Sequence, residues 1–171
     1  MGLNTIKSNE KMKRISKNLL IERGVSIEAI AEIVYDLQIK YIPNITHKDC
    51  IEAIERVLDK REVQNAILTG VELDKLAEEN KLSEPLETLI NSDNPLFGID
   101  EILVLSIVNV YGSIGLTNFG YVDKLKPGII GKLDEEGKNK NKCNTFLDDI
   151  IGAIAAAAAS SIAHNFEDEK E

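Results

Sequence analysis

Phe97-Gly98-Ile99-Asp100-Glu101-Ile102-Leu103-Val104-Leu105-Ser106-Ile107-Val108-Asn109-Val110-Tyr111 is the stretch on which the fold turns. Beyond its acid pair it is apolar nearly all round, the pattern of a central helix buried on every side. Asn109 interrupts the run, and a buried amide needs hydrogen-bond partners. A carboxylate pair at the mouth of such a run is costly to bury unless something compensates it.

Downstream, glycines 112, 115 and 120 allow a break, a kink or close helix packing. Residues 121–124 predict a second short helix, stopped by Pro127. Residues 132–144 are rich in Lys, Asp, Glu, Gly and Asn and predict a mobile loop. The last helix is expected from near Thr145 to about Phe166. Its five consecutive alanines, 155–159, favour helix and let neighbouring backbones approach.

Upstream, Ser26 suits an N-cap, with Ile27, Ile30, Ala31, Val34 and Leu37 at helical spacing behind it. Thr46 and Asp49 give a capping pattern for a helix carrying Ile51, Ile54, Val57 and Leu58. His47 falls in its first turn and has no second His or Cys spaced to make it a ligand. A long helix follows from about Arg61 to Glu79. Ser83 then caps a short helix through Leu86, Leu89 and Ile90, and Asn91-Ser-Asp-Asn-Pro95 is a loop by its turn chemistry. Residues 1–18, with Lys7, Lys11, Lys13, Arg14 and Lys17, suit a flexible, solvated terminus; the sharper reading is a basic arm that finds anionic lipid surfaces. No stretch alternates β-branched residues between turns. The expected fold is all-α, a compact single-domain bundle of about six or seven helices over residues 1–171.

Composition narrows the function. With 43% hydrophobic and 29% charged residues the chain is globular rather than disordered. A net charge of −9 argues against nucleic acid, whose phosphates need a basic face. Cys50 and Cys143 lie far apart without ligand spacing and suggest a reducing, cytoplasmic setting. The N-terminus lacks a signal-type apolar core, and the longest apolar run, residues 150–159, is too short to span a bilayer, so no transmembrane segment is expected.

Three acidic clusters lie against apolar segments: Asp100-Glu101, Asp123 in Phe119-Gly-Tyr-Val-Asp-Lys-Leu-Lys126-Pro127, and Asp148-Asp149 in Phe146-Leu-Asp-Asp-Ile-Ile-Gly152. Two of them open helices, where the dipole alone would favour acids. Asp123 falls near a helix end, where the dipole disfavours it, so capping does not account for all three. Adjacent acids in apolar surroundings repel unless a cation lies between them, and a hard divalent ion, Mg²⁺ first, is a common solution. Covalent phosphatase signatures and a glycine-rich phosphate cradle are absent.

In this order the clusters resemble the phosphatidylglycerophosphatase A family, whose members open an apolar segment with Asp-Glu, continue with Phe-Arg-x-x-Asp-x-x-Lys-Pro, and close with Asp-Asp-x-x-Ala-Gly on a small-residue helix. The resemblance covers roughly residues 62–165. Gly120 stands where the family usually has Arg, the family's N-terminal Gly-Ser/Pro-rich motif is absent, and the chain looks like the soluble branch. The resemblance implies Mg²⁺-dependent hydrolysis of a phosphate monoester, phosphatidylglycerophosphate or a related ester. A soluble phosphate ester such as α-ribazole phosphate, the substrate of an archaeal branch, is the alternative. On that reading Asp100, Glu101, Asp123, Asp148 and Asp149 hold metal, Asp149 or Glu101 orients the attacking water, and Lys126 offsets phosphoryl charge. The amide-rich starts of the two acid-bearing helices would add donors. The substrate is met in the cytoplasm or at an anionic membrane surface. A homo-oligomer formed through an apolar or Ala-rich helix face is expected too, and a helical oligomer without catalysis is the competing class.

Overall fold

The computed structural model describes residues 2–95, 97–139 and 142–168. Among these, nine α-helices and one 3-10 turn make up the fold: α1 Gly2–Glu22, α2 Ile27–Gln38, α3 His47–Leu58, α4 Arg61–Glu78, α5 Leu86–Asn91, α6 Ile99–Val108, the turn Asn109–Tyr111, α7 Gly112–Leu125, α8 Ile129–Lys138 and α9 Leu147–Asp168. No strand occurs among the described residues. The fold is all-α, with more helices than the six or seven expected.

The additions are α1 and α8, both hidden in the sequence by polar composition. Residues 132–144, expected as a loop, are helical as far as Lys138 because Ile130 and Leu133 supply a narrow buried stripe. Lys, Asp and Glu around them are adequate helix formers, and Lys138 pairs with Asp134 one turn back. The expected flexible arm is likewise a helix: Leu20 is fully buried. Lys13 meets Glu55 at 3.0 Å and Asp59 at 2.9 Å, and Lys17 also pairs with Glu55. These lysines answer the acids of α3 rather than standing free.

Local signals set several boundaries. The Ser26 side chain accepts the Ala29 amide to start α2, and Thr46 and Asp49 exchange bonds in a full capping box to start α3. His47 stacks on Tyr35 with ring centroids 4.3 Å apart and lies 3.1 Å from Glu32, so it ties α3 to α2.

The centre of the bundle is α9, not the run that begins at Ile99. Ala153 through Ala159 are wholly buried, and α2, α3, α4, α6, α7 and α8 all pack on α9. By contrast Ile99, Ile102 and Leu105 of α6 are exposed, as is Asn109. Hydropathy misled here: alanine is only mildly apolar, yet its small Cβ lets helices close on it at backbone range. Gly70 on α4 marks one such crossing, since a Cβ there would lie 2.5 Å from Ile150 Cδ1 and 2.9 Å from Phe146 Cβ.

Arg23, just past α1, ties this core to the segment before α9. Its guanidinium is buried and forks onto Glu78 at 2.9 and 2.7 Å, and also donates to the Cys143 carbonyl at 2.7 Å and Asn144 Oδ1 at 2.9 Å. Burial would raise the Glu78 carboxyl, but Arg23 and the Cys143 amide hold it below the usual range. A depressed acid contributes stability above its unfolded pKa, about 4.3, that is lost as pH falls through its folded value. Glu78→Gln is therefore expected to cost about 2–3 kcal/mol at neutral pH and progressively less below pH ~4, read by urea unfolding of both proteins. A penalty that does not change with pH would show that the Glu78 charge contributes nothing.

Candidate functional site

The start of α9 is built by another helix. Asp74, one turn after Gly70 on the same side of α4, is fully buried and accepts the Phe146 and Leu147 amides at 3.1 and 3.0 Å. The Cys143 thiol also donates to it, at 3.6 Å. All three partners are donors, the geometry of a carboxylate, while burial pushes its pKa up to about 8. The Asp149 amide bonds Asp148 Oδ1 at 2.9 Å, and the Asp148 amide bonds the Asn144 carbonyl at 3.2 Å. The first amides of α9 are thus already satisfied, which removes them as the phosphate donors expected from the sequence.

At the end of α7, Lys126 adopts a left-handed conformation (φ 46°, ψ 55°) ahead of Pro127. Its ammonium lies 2.9 Å from Asp123 Oδ1, 2.9 Å from Asp148 Oδ2 and 3.6 Å from Asp149 Oδ1. Burial works against its charge, but Asp148, Asp123 and Asp149 outweigh that and raise its pKa. One cation does not neutralise three carboxylates. Burial pushes Asp148 up to about 6 with Lys126 pulling against it, and burial together with Asp148 pushes Asp149 up to about 8.

Of the predicted residues, Asp123, Lys126, Asp148 and Asp149 therefore meet. Asp100 is buried in the first turn of α6, and its charge is felt at Asp149. Its Oδ1 has no hydrogen-bond partner among the described residues. Glu101 is exposed on α6, and no hydrogen bond or ion pair joins it to the cluster among the described residues.

Several residues of the site escaped the sequence reading. Asp93, in a left-handed turn (φ 47°) after α5, has its carboxyl raised by partial burial and by Asp100. It borders a cleft of about 850 Å³ walled by Glu78, Glu87, Thr88, Asn91 and Lys142. A narrow recess sharing Asp93 and Lys142 leads past Asp134 to Asp148. Asp93 looked like turn chemistry. Asp74 had a legible signal: an acid in the apolar stripe of α4.

No three His, Cys, Asp or Glu side chains among the described residues are grouped closely enough to hold a metal as they stand. The donor chemistry nevertheless fits a hard divalent cation. The donors are carboxylate oxygens in a cluster whose negative charge exceeds that of its one lysine, and Asp100, whose charge reaches Asp149, adds a buried oxygen without a hydrogen-bond partner among the described residues.

The sequence profile of the phosphatidylglycerophosphatase A family matches residues 20–164, beginning well before residue 62. The uncharacterized proteins YpjQ and YutG of Bacillus subtilis are 58% and 56% identical to this chain; the matches span 92% and 90% of it and 88% and 92% of their own lengths. The crystal structure of the low temperature requirement C protein of Listeria monocytogenes superposes with a TM-score of 0.87 at 55% identity, covering 91% of this chain and 97% of that one.

Proposed function

Because the chain belongs to the phosphatidylglycerophosphatase A family, we propose that it is a Mg²⁺-dependent phosphomonoesterase. The observation that carries this reading is the lysine set among acids from two separate helices. Asp100, Asp123, Asp148 and Asp149 would hold the ion, which supplies Lewis-acid charge and acidifies water. Lys126 offsets charge on the phosphoryl oxygens, and Asp149 orients the attacking water by accepting its proton in a hydrogen bond. The two cysteines, both buried and unpaired, support a cytoplasmic location.

A soluble ester is favoured over a lipid by the cleft. Its described walls carry carboxylates, amides, hydroxyls and lysines, interspersed with Ala77, Gly137 and Cys143. Such walls suit a hydroxylated leaving alcohol rather than acyl chains.

The test is phosphate release from soluble monoesters and from micellar phosphatidylglycerophosphate, with and without Mg²⁺. Mg²⁺ at 100 times its Kd should stabilise the parent by about 2.7 kcal/mol. Asp123→Asn removes one ligand charge and should lose most of that gain. Unchanged Mg²⁺ affinity in this variant would take Asp123 out of the site, and no phosphate release from any ester would leave the helical oligomer.

A further inference from the structure

Among the described residues nine large apolar side chains are exposed, and seven of them fall between Ile99 and Leu125. At 100° per residue, the α7 positions Ser113, Thr117, Gly120 and Lys124 form one line along the helix, and all are exposed. Leu116 flanks that line on one side, Tyr121 and Leu125 on the other. The result is a valley of small residues, Ser113, Thr117 and Gly120, closed by Lys124 at one end and flanked by apolar shoulders, and exposed Ile99, Ile102 and Leu105 form a further stripe on neighbouring α6.

We propose that this face is covered by a second copy of the chain, α7 against α7 about a two-fold axis, closest at Gly120. Four observations favour that occupant. The seven side chains expose roughly 700 Å², close to the ~800 Å² per partner of a standard interface. The face carries Glu101 and Asp123 at its edges on a chain of net charge −9, which opposes an anionic lipid surface. The apolar stretch is divided at residues 109–111 and at Gly112 (φ 67°). By length and composition Ile99–Leu125 could cross a bilayer, but the 3-10 turn and Gly112 keep it from being one uninterrupted α-helix. Finally, Gly120 stands mid-helix, where glycine costs about 1 kcal/mol against alanine, yet a Cβ there would meet nothing within 4 Å. Nothing among the described residues requires that glycine, whereas close approach of another backbone would. The axis passes one helical turn from Asp123, so the interface borders the acid cluster. The proposal does not depend on the reaction assigned to that cluster.

Gly120→Leu separates association from folding, because within one chain the added side chain has open space and better helix propensity. Sedimentation of the parent across 1–200 μM should give twice 18.9 kDa. Gly120→Leu should be at least as stable to urea once monomeric and should weaken dimerisation 100-fold or more. A parent that stays monomeric at 200 μM overturns the proposal, as does a dimer constant unaffected by Gly120→Leu. A monomeric parent that floats with phosphatidylglycerol vesicles assigns the face to a membrane instead and equally overturns it.

Discussion

Alanine at position 126 is expected to lower turnover of the best phosphate ester about 10²–10³-fold, the usual cost of removing one charged contact to a transition state. The expectation rests on where Lys126 sits. Its ammonium touches Asp123 and Asp148 at 2.9 Å and lies 3.6 Å from Asp149, so its removal leaves charge developing on the phosphoryl oxygens without a fixed counterpart. Divalent metal should fare differently from catalysis: three carboxylates relieved of their internal counter-ion should bind Mg²⁺ at least as tightly, read by calorimetry. Without metal the variant should melt well below the parent, because Asp148 and Asp149 are buried and lose their partner. Saturating Mg²⁺ should then recover more stability in the variant than in the parent. Hydrolysis at the parent rate would remove the charge-offset role. Weakened Mg²⁺ binding would mean that Lys126 organises the ligands rather than competing for them.

Arg23→Ala should be the most damaging single change to the fold, at about 4 kcal/mol, since it strands Glu78, the Cys143 carbonyl and Asn144 Oδ1 in or near the core. At this chain length each kcal/mol moves the midpoint by ~2–4 °C, so a fall of about 8–16 °C is expected by calorimetry. The loss should also reach the acid cluster. Arg23 fixes residues 143 and 144, whose backbone leads into the first turn of α9 and whose Asn144 carbonyl accepts the Asp148 amide. Phosphate release measured well below the midpoint should therefore fall as well. A stable variant of parent activity would show that Asp74, together with Thr145, whose hydroxyl donates to the Ile90 carbonyl at 2.7 Å, holds that segment without help.

What could be read from the sequence followed signals that act locally. Ser26, Thr46 and Asp49 announce their helices because capping is a matter of three or four neighbouring residues. The acids at 123, 148 and 149 and the lysine at 126 were legible as a set: capping could account for 148 and 149, but not for Asp123 near a helix end with a lysine three residues on. Interactions of long range were not legible. Arg23 and Glu78 are 55 residues apart, and Asp74 meets Leu147 73 residues away. Glu101 illustrates a different limit: adjacent helix residues diverge by ~100°, and nothing in an Asp-Glu pair says which of the two turns inward. The exchange of roles between α6 and α9 has a third cause. Apolar character measures what a side chain gains by leaving water, whereas centrality depends on how many neighbours can fit around it.

The buried alanines of α9 have a consequence for order. Folding strips rotamer freedom from every large core side chain, about 0.5–1 kcal/mol for each Leu or Ile, but alanine has none to lose. Residues 153 and 155–159 therefore enter the densest part of the bundle at the backbone's entropy cost alone. For the same reason they have no second rotamer to adopt once there, so neighbouring helices cannot shift by repacking against them. Asp148 and Asp149 are carried on the end of an element with a single packing arrangement. Two carboxyl groups on so fixed an element are pre-ordered before any ligand arrives, and the ordering penalty that flexible carboxylates would add to binding has already been met during folding.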